Sequence, residues 1–247
     1  MPIALPHDAS TAGHHVDAIL EYLTLTTGIA FAVMASILLL AVAFHRGARR
    51  RALYTHGTRG RDRAVALVAG AVVLFGIDAV ALVRSMGPLR SGFWSYPDAD
   101  PRTVRVEVTA QQWAWTFRQA GPDGTFATAD DIVTLNQLRL PVGHPVSLQL
   151  TSKDVVHSFY LPSFRTKVDV IPGAVTRLSF EAREAGTFEI GCAQHCGAWH
   201  FKMRGELIAT DDPTFARWSA RAAADAALRF DAADAEAHDG WPWMPLP

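Results

Sequence analysis

Five side chains in the second half of the chain are of types that bind soft or borderline metal ions. Four of them follow the spacing C-x3-C-x3-H-x2-M, namely Cys192, Cys196, His200 and Met203. A fifth, His157, lies upstream in the stretch DVVHSFYLP. Thiolates and imidazoles with a weak thioether form the ligand set of electron-transfer copper, whereas hard cations prefer oxygen. The pattern therefore predicts a copper site.

The spacing of the two cysteines indicates how such a site is built. A short loop between two strands can turn both sulfur atoms, and then His200 and Met203, toward one point. One thiolate can bind one copper, but two thiolates four residues apart can also bridge two coppers and share one electron across both. Little structure then rearranges when the electron arrives or leaves, which suits fast transfer. An ordinary disulfide is the alternative for the cysteine pair alone.

Two long apolar runs precede this region. Residues 24–44 are 21 residues without a charge, and residues 64–83 are 20 residues with one charge, Asp78. At about 1.5 Å of rise per residue, each run spans roughly 30 Å of hydrocarbon as a helix. Both are predicted to cross a membrane, and Asp78 is expected to face protein rather than lipid. A buried hairpin of a soluble protein is the alternative.

The charges flanking these runs predict the orientation. Residues 46–63 hold seven arginines against one aspartate, while residues 1–23 hold Asp8, Asp17 and Glu21 and neither lysine nor arginine. By the positive-inside rule, the Arg-rich loop is cytoplasmic and both termini are outside. A cleaved signal peptide needs a basic start, so the acidic start argues against one.

Short segments of alternating hydrophobicity follow residue 102. Residues 103–109 (TVRVEVT) alternate strictly, and turn signals such as Pro172-Gly173 separate the later segments. The other predicted strands are Trp113 with Trp115 and Phe117, Val146 with Leu148 and Leu150, and residues 175–181, 187–191 and 205–210. This arrangement predicts a β-sandwich or barrel. Asp212 followed by Pro213 predicts the N-cap and first turn of a helix that runs to about residue 229.

The stretches QQWAWTF, DVVHSFYLPSFRTKVDVIPG and GCAQHCGAWHFKM resemble the cytochrome c oxidase subunit II family. The resemblance implies a two-helix transmembrane hairpin, an all-β cupredoxin-like (Greek-key) domain and a C-terminal helix. The expected divisions are an N-terminal periplasmic segment (1–23), transmembrane helices (24–45 and 64–84) around a cytoplasmic loop (46–63), a linker (85–101), the copper domain (102–211) and a C-terminal helix and tail (212–247).

The same resemblance implies a ligand set for a dinuclear copper centre, copper A. In that family two cysteines bridge the coppers, a histidine and a methionine complete one metal, and a second histidine and a backbone carbonyl complete the other. The positions that match the bridging cysteines are Cys192 and Cys196. His157 and Met203 match the ligands of one metal, and His200 and the backbone carbonyl of Gln194 match those of the other. The family also implies that Trp113 is the entry point for electrons; a core aromatic on an alternating strand is the alternative.

Some positions depart from the family pattern or leave two interpretations open. Many members have a glutamate at the position of Gln194 that helps to hold magnesium at the subunit contact, and a neutral amide is a poorer ligand, which weighs against magnesium here. Asp154 is either a partner that orients His157 or a plain turn residue. We expect His195 to be a bystander, and residues 121–131, which are acidic, to be a solvated hairpin tip rather than a calcium site.

The function implied is that of subunit II of a haem-copper oxygen reductase in a bacterial inner membrane, which transfers electrons while the haem-bearing catalytic subunit I reduces oxygen. Subunit III or other small membrane subunits, membrane lipid and a soluble c-type cytochrome or similar donor are the expected partners; nucleic acid is not. No C-x-x-C-H haem sequence occurs, so we expect the donor to be separate. A nitric oxide reductase is the close alternative, a membrane-tethered copper chaperone is a distant one, and a quinol oxidase, whose subunit II lacks the copper, is disfavoured.

Overall fold

The computed structural model describes residues 5–46, 57, 59–90, 94–228 and 230. The described residues divide into two compact units, a helical one within residues 15–89 and a β unit formed by residues 5–14 together with the described residues from 90 onward. Most of the middle of the expected cytoplasmic loop, and the expected tail beyond residue 230, lie outside the described residues.

The helical unit contains the two predicted membrane helices. Helix α1 is Gly13–His45. Helix α2, Gly60–Ala71, continues through a π-helical segment, Val72–Asp78, into α3, Ala79–Pro88. Both apolar helices, of 33 and 29 residues, are long and hydrophobic enough to cross a membrane, and their most apolar stretches are not buried within this chain. This confirms the prediction of two membrane-spanning helices.

The β unit is built from two five-stranded sheets. One sheet has the strand order β3-β2-β1-β5-β8 and the other β4-β10-β9-β6-β7. Two neighbouring pairs, β1 with β5 and β4 with β10, run parallel, and the remaining pairs are antiparallel. The strands are β1 Val104–Gln111, β2 Ala114–Gln119, β3 Ile132–Leu135, β4 Gln137–Pro141, β5 Pro145–Ser152, β6 His157–Leu161, β7 Thr166–Val170, β8 Thr176–Glu181, β9 Gly186–Cys192 and β10 Arg204–Thr210. The all-β cupredoxin-like prediction is confirmed.

The core of the sandwich explains why these segments are strands. Alternate residues of β1 and β5, such as Val106, Val108 and Leu148, are completely or almost completely buried. Trp115 packs edge-on against Phe159 of the opposite sheet, with ring centroids 5.2 Å apart. Side chains at every second position face inward, so the period-2 pattern buries one face of each sheet.

Both ends of the β unit carry further contacts. Near the start of the chain, Ala9 is fully buried; its backbone amide donates to the carbonyl of Ser163, and its carbonyl accepts from the amide of Arg183. The predicted C-terminal helix is confirmed as α4, Asp212–Ala227, but its N-cap is Asp211, whose side chain accepts from the amide of Thr214. The cap is therefore one residue earlier than predicted, because the proline occupies the second position of the helix rather than the first.

Candidate metal centre

The predicted ligands come from two neighbouring strands of one sheet and from the loop that follows one of them. Strand β9 ends at Cys192, β10 begins at Arg204, and the predicted ligand loop, residues 193–203, connects them. The amide of Cys192 donates to the carbonyl of Met203 at 3.2 Å, which closes the base of the loop. His157 is the first residue of β6, which lies beside β9. Strand pairing therefore fixes the position of this histidine.

The two cysteine sulfur atoms lie at the middle of the cluster. Cys192 and Cys196 are both free, and their sulfur atoms are 3.8 Å apart. The ligand atoms of His157, Cys192 and Cys196 all lie within 4.8 Å of one another. Among the described residues, this is the one group of three or more histidine, cysteine, aspartate or glutamate side chains close enough together to hold a metal ion. The two cysteines do not form a disulfide in this structure, because their sulfur atoms are 3.8 Å apart.

His157 and Met203 meet on one side of the sulfur pair. Nδ1 of His157 is 3.1 Å from Sδ of Met203 and 3.9 Å from Sγ of Cys192, while Met203 Sδ is 3.8 Å from Sγ of Cys196. Both side chains are buried, with 0% and 1% exposure. Nε2 of His157 donates to Asp154 at 2.9 Å, which directs Nδ1 at the sulfur atoms; loss of the Nδ1 proton then frees a lone pair for a metal ion.

His200 and the backbone carbonyl of Gln194 each lie near one of the two sulfur atoms. Nδ1 of His200 is 3.5 Å from Sγ of Cys196, and the carbonyl oxygen of Gln194 is 3.3 Å from Sγ of Cys192. The side chain of Gln194 is exposed. The structure thus gathers the other four sequence-predicted donors around the two cysteine sulfur atoms.

The electrostatics of the cysteine pair favour a bound cation. Burial opposes ionisation of Cys192, but hydrogen bonds from His157 and from backbone amides outweigh it and lower the pKa of that thiol to about 6. Burial and the negative charge of Cys192 together raise the pKa of Cys196. Cys192 therefore ionises readily, and its negative charge opposes ionisation of the second thiol, Cys196. A cation placed between the sulfur atoms removes that resistance, because it stabilises both thiolates.

Trp113 lies beside the ligand loop, but not on a strand as the alternation suggested. It occupies the two-residue turn between β1 and β2 and is half-buried. A Cβ atom on Gly197 would lie 3.4 Å from the indole of Trp113, so the indole passes close to the backbone that follows Cys196. The preceding residue, Gln112, donates from its side-chain amide to the carbonyl of Cys196 at 2.7 Å.

Two neighbouring contacts of the centre were not expected from the sequence. The ring of Trp199 stacks on that of Trp113 at a centroid distance of 5.6 Å and an angle of 25°. Asp154 also accepts from the backbone amide of Gln112 at 2.7 Å, so one carboxylate holds both His157 and the turn that carries Trp113. The position of Trp199 inside the predicted ligand loop is a sequence feature that could have indicated its stack on Trp113, because a large indole in such a loop packs against another group.

Two other predicted positions lie outside this cluster. His195 is exposed, and its ring centroid is 5.6 Å from that of His200. In the acidic insert 121–131, the carboxylates accept hydrogen bonds within their own turn: Asp123 from the amide of Thr125, Asp130 from the hydroxyl of Thr128, and Asp131 from the amide of Ala127. The insert is therefore a turn whose three carboxylates are hydrogen-bonded to residues of the same segment.

Comparison with known proteins relates this unit to one family. Residues 91–208 match the family model described as cytochrome C oxidase subunit II, periplasmic domain. An alternative cytochrome c oxidase subunit 2 of Bradyrhizobium diazoefficiens is 37% identical over 137 residues, which are 47% of this chain and 50% of the relative. Cytochrome c oxidase subunit 2 of Thermostichus vulcanus is 33% identical over 165 residues, 66% of this chain and 47% of the relative.

The solved structure of the periplasmic domain of cytochrome oxidase subunit II from Bradyrhizobium japonicum is also similar. It is 27% identical, with a TM-score of 0.44 over 49% of this chain and 94% of that one. The chain spans about half the length of the two curated relatives.

Proposed function

We propose that this chain, whose residues 91–208 match the cytochrome c oxidase subunit II family, is the electron-entry subunit of a haem-copper oxygen reductase. Its own task in this proposal is electron transfer: the site built on Cys192 and Cys196 accepts electrons from a soluble c-type cytochrome or a similar donor. The haem-bearing catalytic subunit receives them and performs the bond chemistry. The observation that carries the proposal is the convergence of four further donor atoms on the sulfur atoms of Cys192 and Cys196.

The donor set fits a dinuclear copper centre. Two thiolates supply bridging sulfur, His157 Nδ1 and Met203 Sδ lie 3.1 Å apart beside them, and His200 Nδ1 and the Gln194 carbonyl each lie near one of the two sulfur atoms. Zinc sites do not use a thioether, and hard cations prefer oxygen. When bound, such a centre stores one electron at a time, shared over two metals. We propose these six positions as its ligands.

The burial of the donors supports a rigid site. His157, Met203 and Cys196 are at most 3% exposed, and two strands with a hydrogen-bonded loop base hold them. A site that is already formed keeps its shape when the charge of the metal changes, which favours fast electron transfer. The chain's own contribution is to orient the two imidazoles, exclude water from the thioether side and hold the neutral tautomer of His157 with Asp154.

The membrane topology is part of the same proposal. We place residues 46–63 on the cytoplasmic side, and the N-terminal segment with the copper domain on the outer side of a bacterial inner membrane. The backbone hydrogen bonds of Ala9 with Ser163 and Arg183 support a common side for both. Protease added to right-side-out spheroplasts is expected to cut the domain and spare the loop; the reverse pattern overturns this orientation.

A direct test of the electron route uses the purified complex of this chain with its catalytic subunit. Ferrous cytochrome c is mixed with the oxidised complex, and the visible spectrum is followed on the millisecond timescale. The proposal predicts that the band of this chain's copper loses intensity before the haem of the partner is reduced. Reduction of the haem first, with the chain's metal lagging behind, contradicts the proposal. Gas uptake by the same complex separates oxygen reduction from nitric oxide reduction.

A further inference from the structure

We propose that Trp199 is the outer contact of the electron donor, and that the electron passes from it inward along the stacked pair Trp199–Trp113. This inference rests on the proposed function and names the surface that the donor uses. It assigns a role to a residue of the ligand loop that binds no metal, and it differs from entry at Trp113 alone.

The first step of the argument is the burial of the two indoles. Trp199 is 55% exposed, whereas Trp113 is half-buried and lies against Gly197. The two rings are stacked, with centroids 5.6 Å apart, so Trp199 covers one face of Trp113. A protein that approaches this face meets the ring of Trp199 before it meets the ring of Trp113.

The second step is the connection from these rings to the metal donors. Trp199 is the residue directly before His200, and Trp113 lies close to the residue directly after Cys196. Two short routes therefore run inward, one along the backbone to His200 and one across the stack to the backbone next to Cys196. The stacked rings leave only a short through-space gap between Trp199 and Trp113. A solvent-exposed indole placed here shortens the gap between a docked donor and the centre.

The third step concerns the kind of partner that fits this surface. Phe201 is 65% exposed, and Nζ of Lys202 lies 5.0 Å from the centroid of the Trp199 ring and 5.7 Å from that of Phe201. The ligand loop, residues 193–203, contains no carboxylate. Two exposed aromatic rings beside one cation fit a soluble haem protein whose exposed haem edge is apolar and has an acidic rather than a lysine-rich rim.

The electron balance of the step is simple. The ferrous haem of the donor loses one electron and becomes ferric, and the oxidised centre held by the ligand loop gains that electron. The indoles provide the path, and no bond forms or breaks. No proton has to move, because neither indole is left oxidised.

The test compares Trp199→Leu with Phe201→Leu, a change on the same docking surface that leaves the stacked pair intact, in the full chain assembled with its catalytic subunit. Removing an aromatic anchor at the centre of a contact weakens association by about tenfold or more. Trp199→Leu is expected to slow reduction by a ferrous, acidic c-type cytochrome by at least that factor and Phe201→Leu by less. Copper content, the visible spectrum and the rate of reduction by dithionite should not change. Trp199→Phe, which keeps a ring in the stack, should recover much of the rate.

A second readout does not depend on the metal. Binding of the same acidic cytochrome to the metal-free full chain, measured by fluorescence anisotropy, should weaken about tenfold in Trp199→Leu. In the unchanged chain, binding of the acidic cytochrome should be tighter than that of a basic one at low salt, and the difference should shrink as salt rises.

Three results overturn the inference. The first is a rate and an affinity for the cytochrome in Trp199→Leu within twofold of the unchanged chain. The second is slower transfer from this chain to the haem with normal reduction by the donor, which places Trp199 against the catalytic subunit instead. The third is tighter binding of the basic cytochrome. Failure of the chain to hold copper refutes the proposed function but leaves the binding readout on the metal-free chain interpretable.

Discussion

Oδ1 of Asp154 accepts a hydrogen bond from Nε2 of His157 at 2.9 Å. This contact fixes the histidine ring so that Nδ1 faces the sulfur atoms of Met203 and Cys192. The second oxygen of Asp154 accepts from the amide of Gln112 at 2.7 Å. The carboxylate therefore joins His157 to the turn that carries Trp113, a contact that favours the orienting role for Asp154 over that of a plain turn residue.

Asp154→Asn is expected to weaken copper binding while leaving the fold intact. Asparagine has one acceptor oxygen where Asp154 uses two, so one of the two hydrogen bonds is lost, and losing the partner of a metal-bound histidine costs about 10–100-fold in affinity. Titration with a copper chelator measures the effect. Asp211→Asn is the matched control, because asparagine caps a helix as well as aspartate does. Equal copper retention in both variants would show that Asp154 is only a turn residue.

Cys192→Ser and Met203→Leu should damage the centre to different degrees. Loss of a bridging thiolate removes a ligand from both metals, so Cys192→Ser should abolish the dinuclear centre. Met203→Leu replaces a buried thioether by a side chain of similar volume, at a cost of less than about 1.5 kcal/mol in folding. It should keep two coppers and shift the reduction potential, since the thioether is a weak donor. Metal analysis and potentiometry compare the two, and equal loss of copper would contradict the assigned roles.

Trp113→Gln distinguishes electron entry from core packing. If Trp113 carries the electron, the variant stays folded, keeps its copper spectrum and is reduced slowly by the donor. If Trp113 only packs, the change leaves a cavity and an unsatisfied amide at a cost of about 3–5 kcal/mol. The variant then loses copper or aggregates, while its surviving fraction is reduced at the normal rate. Stopped-flow reduction together with thermal unfolding measures both quantities.

The metal donors could be predicted from the sequence because their spacing is local and their types are rare. Four of the five side-chain donors lie within twelve residues of one another, so one loop suffices to bring them together. Strand β6, with His157, was missed because its burial follows pairing with β7 and β9 rather than a simple alternation. Strands β3 and β4 were missed because they have only four and five residues, too few for an alternating pattern to stand out.

Contacts between distant segments could not be read from the sequence. The stack of Trp113 on Trp199 joins residues 86 positions apart, and its existence depends on the turn before β2. The burial of Ala9 likewise depends on hydrogen bonds to Ser163 and Arg183. Neither contact has a local pattern, because both arise only when the two sheets are packed.

A buried carboxyl group away from the centre gives a pH dependence to the stability of the β unit. Burial raises the pKa of Glu107 to about 7 from 4.5, with Arg118 opposing the rise and Asp131 adding to it. The unfolded chain therefore ionises this group at lower pH than the folded one. The stability that Glu107 provides is fully present below about pH 4.5 and is lost as the pH rises through about 7, by at most about 3 kcal/mol.

Glu107→Gln should remove that part of the slope. The melting temperature of the β unit is measured between pH 4.5 and 8 for the unchanged chain, for Glu107→Gln and for Glu206→Gln, which alters an exposed carboxylate. The first variant should show a flatter profile, with the largest relative gain at high pH; Asp131, whose pKa is also raised by burial, maintains a residual slope. Parallel profiles for all three proteins would rule out an ionising Glu107 as the source.

The most direct test of the account is a metal count and an electron paramagnetic resonance spectrum of the purified full chain loaded with copper. The account predicts two coppers per chain and, in the oxidised form, a hyperfine pattern from one unpaired electron shared equally over both nuclei. Cys192→Ser should lose that pattern. One copper per chain with a localised spin, a single bound zinc, or a disulfide between Cys192 and Cys196 with no metal would contradict the account.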